Sequence, residues 1–124
     1  MQNNVKQQWK KRVDVFRYIY SCLNNENNTM NIDSFDETQK SIVDYFLQNK
    51  EQIADLIKPL ISNKWTWERT KTVDKAIIIT AYCENKVALI PKKVAIDQAI
   101  INAKNYSEPN SYRFVNAILD KIIA

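Results

Sequence analysis

Apolar residues recur at helical spacing along most of the chain. Trp9, Val13, Phe16, Tyr20 and Leu23 step by four, three, four and three, which predicts a first helix from Val5 to about Leu23 with one buried stripe. The asparagine-rich stretch from Asn24 to Asn31 reads as a loop. Asp33-Ser34-Phe35-Asp36-Glu37 opens the next helix with acids in its first turn, where the helix dipole favours them, and Ile42, Val43, Phe46 and Leu47 form its apolar face. Asn49 and Lys50 mark a bend. A third helix follows with Ile53, Leu56, Ile57 and Leu60 inside, ended or kinked by Pro59. From Thr72 to Tyr82 apolar residues wrap most of the circumference, so this helix is expected to be central and buried. Pro91 is suited to the first position of the next helix. There Ala95, Ala99 and Ala103 recur every fourth residue, a face that a partner helix can approach closely. Asn105 to Asn110 is a polar turn, with Ser107 placed to cap the last helix and Pro109 tolerable only in its first turn. Val115, Ile118, Leu119 and Ile122 then form one stripe.

Composition narrows the fold further. The 124 residues include no glycine and only 3 prolines, so the positive-φ turns of a many-stranded sheet would fall to Asn, Asp and Ser alone. The expected class is therefore all-α. With 45% hydrophobic and 26% charged residues the chain has an ordinary globular profile, and its length suits one domain with a single core or two small bundles sharing an interface. We place the division at 1–62 and 63–124. No apolar run approaches a membrane span, and MQNNVKQQWKKR lacks the apolar centre of a signal peptide.

Candidate chemistry is sparse. There is no histidine, so the commonest general base and metal ligand is missing, and without glycine no P-loop or GxGxxG turn can form. Cys22 and Cys83 make no C-x-x-C pair and read as free thiols suited to the cytosol. Asp36 and Glu37 are better explained as dipole partners than as an acid–base pair. No catalytic constellation, metal site or cofactor is expected. The formal charge is +4, which permits a polyanionic partner. Lys6, Lys10 and Arg17 share one face of the first helix, extended by Lys11 and Arg12. Such a face is either solvated surface or a phosphate-binding patch. Trp65 and Trp67 either stack bases or plug a seam between helical layers.

The C-terminal third carries a specific pattern. Val94-Ala95-Ile96-Asp97-Gln98-Ala99, Ala103-Lys104 and Ser111-Tyr112-Arg113-Phe114-Val115-Asn116-Ala117-Ile118-Leu119-Asp120-Lys121 resemble the signature of the NusB family of bacterial transcription antitermination factors. Asp74-Lys75-Ala76-Ile77-Ile78 and Glu84 resemble the family's preceding helix, and Lys10-Lys11-Arg12 followed by Tyr18-Ile19-Tyr20 its basic N-terminal helix. Departures are Asp97-Gln98 for Asn-Glu, Ala117 for glycine, Ile79 for a frequent arginine, Cys83 for tyrosine and Asn85 for leucine.

The resemblance implies an all-helical domain of two small packed bundles that works by assembly rather than catalysis. It implies pairing with the ribosomal protein NusE, binding of boxA-type single-stranded RNA, and joining of the RNA polymerase elongation complex in the cytoplasm. On this reading Lys6, Lys10, Lys11, Arg12, Arg113 and Lys121 contact phosphates, and Tyr20 and Phe114 contact bases. Ser111 and Asn116 lie at the RNA-facing end of the last helix, while Asp74 and Glu84 meet the protein partner. Each has a plainer role available: Phe114 as core, Asn116 as a partner of turn backbone, Asp74 as a helix-start acid. Self-association is not fixed by the sequence; a monomer that becomes a heterodimer is expected. Two other readings stay open, a helical adaptor that binds no RNA and a module like the front domain of ribosomal RNA methyltransferases.

Overall fold

The computed structural model describes residues 2–25, 30–61 and 66–124, with side chains from residue 7 onward. Among these residues there are five α-helices and no strand: α1 (Gln2–Asn24), α2 (Glu37–Ile57), α3 (Thr72–Val87), α4 (Lys92–Tyr106) and α5 (Ser111–Ile122). Trp65 and the expected boundary at 62/63 lie outside the described residues.

Helix α3 is the axis. Every residue from Ala76 to Glu84 is buried, and α3 packs against each of the other four helices. Around it α1 adjoins α2, α2 touches α5 and α5 lies along α4. Ala95, Ala99 and Ala103 are all buried, and α4 packs against both α3 and α5. The stripe Val115, Ile118, Leu119 and Ile122 is buried as its spacing predicts. One contiguous core results, to which all five helices contribute.

Three local expectations need correction. The buried side of α1 is wider than the anticipated stripe and leaves out Tyr20: Val13 and Phe16 are buried as expected, but Ile19 is 0% exposed and Val15 1%, whereas Tyr20 is 38% exposed. Val15, Ile19 and Cys22 form a second periodic set, which enters the core together with Phe16. The bend expected at Asn49 is present: α2 is two helical segments joined across a kink with non-helical backbone there (φ −124°, ψ 19°). The Asn49 side-chain amide donates to the Tyr45 carbonyl at 2.8 Å across the kink. Pro59 then sits in a short 3₁₀ turn, Lys58–Leu60. Pro91 caps α4 through its carbonyl, which accepts from the Ala95 N–H, and is not itself the first helical residue. Ser107 ends α4 instead of capping α5, and its hydroxyl donates to Asp74 Oδ1 at 2.7 Å.

Among the described residues of this glycine-free chain the positive-φ position is taken by Leu89 (φ 56°), not by Asn, Asp or Ser, and its side chain is 82% exposed. A left-handed backbone costs a residue with a Cβ about 1–2 kcal/mol, and no burial of Leu89 offsets it. Asn tolerates this region, so Leu89→Asn is expected to raise the thermal midpoint by a few degrees in calorimetry while Leu89→Ala does not.

Candidate nucleic-acid interface

Successive side chains leave a helix about 100° apart, so Lys10, Lys11 and Arg12 point in three directions. Lys10 is exposed and makes no ion pair among the described residues. Lys11 reaches the start of α2, its Nζ 2.9 Å from Asp36 Oδ2. Asp36 is the N-cap there: its carboxylate accepts from the Gln39 N–H at 2.8 Å, and Gln39 Oε1 accepts from the Asp36 N–H at 2.9 Å. Those bonds and Lys11 hold the Asp36 carboxyl below its usual range. Arg12 turns inward, and its Nε donates to Glu84 Oε2 at 3.0 Å. Arg17, two turns beyond Lys10 on the same face, is exposed and also lacks an ion-pair partner among the described residues. Lys6 belongs to α1, but its side chain lies outside the described residues.

Past Arg17, α1 carries an aromatic row that spans the α1–α4 seam. Phe16 lies 6.4 Å from Tyr20 and 5.4 Å from Tyr106 of α4, centroid to centroid. At the start of α5, Tyr112 has Lys104 Nζ 4.7 Å from its ring centroid and accepts at its hydroxyl from Arg113 Nε at 3.3 Å. Arg113 holds that hydroxyl below its usual pKa. Tyr106, Tyr112 and Lys104 are not among the candidate site residues singled out from the sequence, whereas Arg17 belongs to the basic face read there. The signal for them was the alternation of aromatic and basic residues from Lys104 to Arg113.

Ser111 faces inward, its hydroxyl 2.9 Å from that of Ser107. Ser107 has one proton and gives it to Asp74, so Ser111 is the donor between the two hydroxyls. Phe114 is half-buried and packs against the core while also lining a surface cavity. Asn116 and Lys121 are exposed further along α5. Lys121 lies ten residues past Ser111, about 15 Å along the helix.

The two acids expected at a protein partner are turned inward: Asp74 is 6% exposed and bonded to Ser107, and Glu84 is 5% exposed and bonded to Arg12. Burial raises the Glu84 carboxyl above its usual range despite Arg12, because one guanidinium nitrogen in contact does not restore the lost hydration. The neighbouring Cys83 thiol is pushed up to about 12 by burial, with Glu84 adding to it, and is unreactive. Asn102 of α4 is also buried, and its Oδ1 has no partner among the described residues.

These features define a small all-helical domain whose chemistry lies on its surface, in cations and aromatics, and not in a catalytic cleft. The NusB family profile matches residues 3–124. The transcription antitermination protein NusB of Bacillus mycoides (strain KBAB4) is 37% identical over 98 residues, 78% of this chain and 75% of that one. NusB of Bacillus thuringiensis (strain Al Hakam) is 36% identical over the same span. The crystal structure of T. maritima NusB superposes with a TM-score of 0.78 at 28% identity, covering 92% of this chain and 88% of its own. The chain belongs to the NusB family of non-enzymatic transcription antitermination proteins.

The Arg12–Glu84 pair yields a stability prediction. Arg12→Ala leaves Glu84 buried without its cation and is expected to cost about 3 kcal/mol in urea unfolding, most of it recovered by Arg12→Met with Glu84→Leu. Between its ordinary value of 4.5 and its raised folded value, Glu84 binds a proton in the folded chain but not in the unfolded one. Wild type therefore gains stability relative to Glu84→Gln as the pH falls from neutral to about 5, a trend read by urea titrations across that range.

Proposed function

We propose that this protein is a transcription antitermination factor that binds boxA-type single-stranded RNA together with the ribosomal protein NusE and joins the elongating RNA polymerase in the cytoplasm, supporting ribosomal RNA transcription. The observation that carries this reading, beside family membership, is the outward face of α1. Lys10 and Arg17 stand two turns apart on it, exposed and without ion-pair partners among the described residues, and the aromatic row beginning at Tyr20 follows. Unpaired cations neutralise phosphates and release counterions. Exposed aromatic faces stack unpaired bases without demanding a sequence. An anionic strand following α1 from Lys10 to Tyr20 meets charge first and rings second.

The neighbouring cations divide the work. Lys11 is exposed beside its partner Asp36 and can exchange that carboxylate for a phosphate. Arg12 stays with Glu84, and we assign it to holding α1 on α3 in addition to any phosphate contact by its terminal nitrogens. Lys6, Arg113 and Lys121 extend the phosphate-binding surface, with Ser111, Phe114 and Asn116 on the RNA-facing side of α5. For NusE, the exposed apolar residues Val94 and Ile101, seven apart on α4, and Leu89 just before it support a contact surface. Asp74 and Glu84 then support that contact from within, not by touching the partner.

The test is fluorescence anisotropy with a boxA-like RNA and a scrambled control at two salt concentrations, with and without NusE. Specific binding that NusE tightens is expected. Lys10→Glu and Arg17→Glu should each weaken RNA binding roughly tenfold and reduce the salt slope by about 0.7 per lost phosphate contact. Absence of RNA binding even with NusE present would leave a helical adaptor as the reading.

A further inference from the structure

A second feature lies away from the outward face of α1. Between the 3₁₀ turn after α2, the first turn of α3 and the start of α5 is a surface cavity of about 420 Å³. Its walls are apolar, from Leu60, Ile61, Phe114, Ala117 and Ile118. Asp74 also lines it, and Arg69, Thr70 and Lys71 complete the lining among the described residues. Arg69 is exposed and has no ion-pair partner among the described residues, while Lys71 pairs with Glu108.

The chemistry of this cavity restricts its occupant. Asp74 is 6% exposed, and only its Oδ1 is engaged, by the Ser107 hydroxyl at 2.7 Å. Oδ2 has no partner among the described residues, and a carboxylate has acceptor sites for about four hydrogen bonds. An acceptor open to the cavity and short of donors favours a ligand that brings N–H groups. The carboxylate repels a phosphate or another acid. Apolar walls disfavour a hydrated metal ion, and the cations Arg69 and Lys71 disfavour the side chain of a lysine or arginine. What remains is a flat, apolar-faced group with adjacent N–H donors on one edge and a negative charge on its tail. A guanine nucleotide has that pattern: N1–H and the 2-amino group lie side by side, and its phosphate belongs with Arg69.

We propose that this cavity is a subsite for one unstacked guanine of the bound RNA, its ring against Phe114 and Ala117, its N1–H and 2-amino donors on Asp74, and its phosphate on Arg69. The assignment rests on the RNA-binding reading above and adds base selectivity to it. Asp74 is then neither a helix-start acid alone nor a protein contact, and Phe114 acts from a wall of the cavity while remaining part of the core.

The test uses three labelled twelve-nucleotide RNAs: all uridine, the same with one central guanosine, and the same with inosine at that place, which lacks the 2-amino group. In anisotropy titrations wild type should prefer the guanosine RNA over all-uridine by roughly tenfold, with inosine between them. Asp74→Asn should bring the ratio close to one. Ala117→Leu should do the same by filling the cavity, and because Ala117 is exposed on α5 this variant is expected to fold. Equal affinities for the three RNAs in wild type, or a preference that survives Ala117→Leu, overturns the subsite. If wild type binds none of the RNAs, the RNA-binding reading fails separately. The cavity is then judged by amide shifts of Lys71, Asp74 and Ala117 on adding guanosine monophosphate against uridine monophosphate. Shifts with the guanine nucleotide alone keep the assignment, and no shifts overturn it.

Discussion

The burial of α3 is the constraint on which the other elements depend. A helix buried through every residue from Ala76 to Glu84 must be covered on all sides, and four helices are needed to do it. Its backbone groups satisfy one another, but its polar side chains do not, and each recruits something particular. Thr80 returns its hydroxyl to the Ala76 carbonyl at 2.7 Å and stays within the helix. Glu84 takes Arg12 from α1, and Asp74 takes Ser107 from the end of α4. The two acids therefore tie α3 to its neighbours at specific heights, which apolar packing alone, being non-directional, does not fix.

The same geometry decides what α1 has left to offer. A run of three cations is continuous in sequence and divided in space, one to α2, one to α3 and one to water. The helix gains two anchors and presents fewer free charges than the run suggests. Lys10 and Arg17, not adjacent in sequence, are the pair that share a face. The α1–α4 seam is closed chiefly by aromatic contact between Phe16 and Tyr106, and its polar lining includes Asn102 with an unpaired Oδ1. Rings are exposed there because no helix covers that gap.

Much of the fold was legible because helical periodicity is a local property. The alanine repeat of α4, the stripe of α5 and the all-round apolar α3 follow from spacing alone. The width of the buried face on one helix is not local: Val15, Ile19 and Cys22 join Val13 and Phe16 in burial while Tyr20 does not, and only the placement of the other helices decides. The kink at Asn49 was legible as a bend, but the bond from its side chain back to Tyr45 was not. Of the candidate site, the residue types were readable and their partners were not. No spacing rule connects Arg12 with Glu84, 72 residues away, or Ser107 with Asp74, 33 away. Such pairings exist only once the helices are stacked.

The two buried acids also differ in a way that follows from where they sit on α3. Asp74 is in the first turn, where the helix dipole stabilises a negative charge, so a single hydroxyl beside one oxygen suffices and the other is left available. Glu84 is in the last turn, where the dipole opposes a carboxylate and Lys86 is the basic residue at hand. Burial there without a cation would neutralise the group, and Arg12 is the cation provided. The end of α3 that most needs a positive charge thus takes it from the basic helix, and the end that needs it least keeps an under-used carboxylate facing a cavity. One buried helix, through the sign of its dipole at each end, ties both acids to its neighbours and leaves only Asp74 with an oxygen to spare among the described residues.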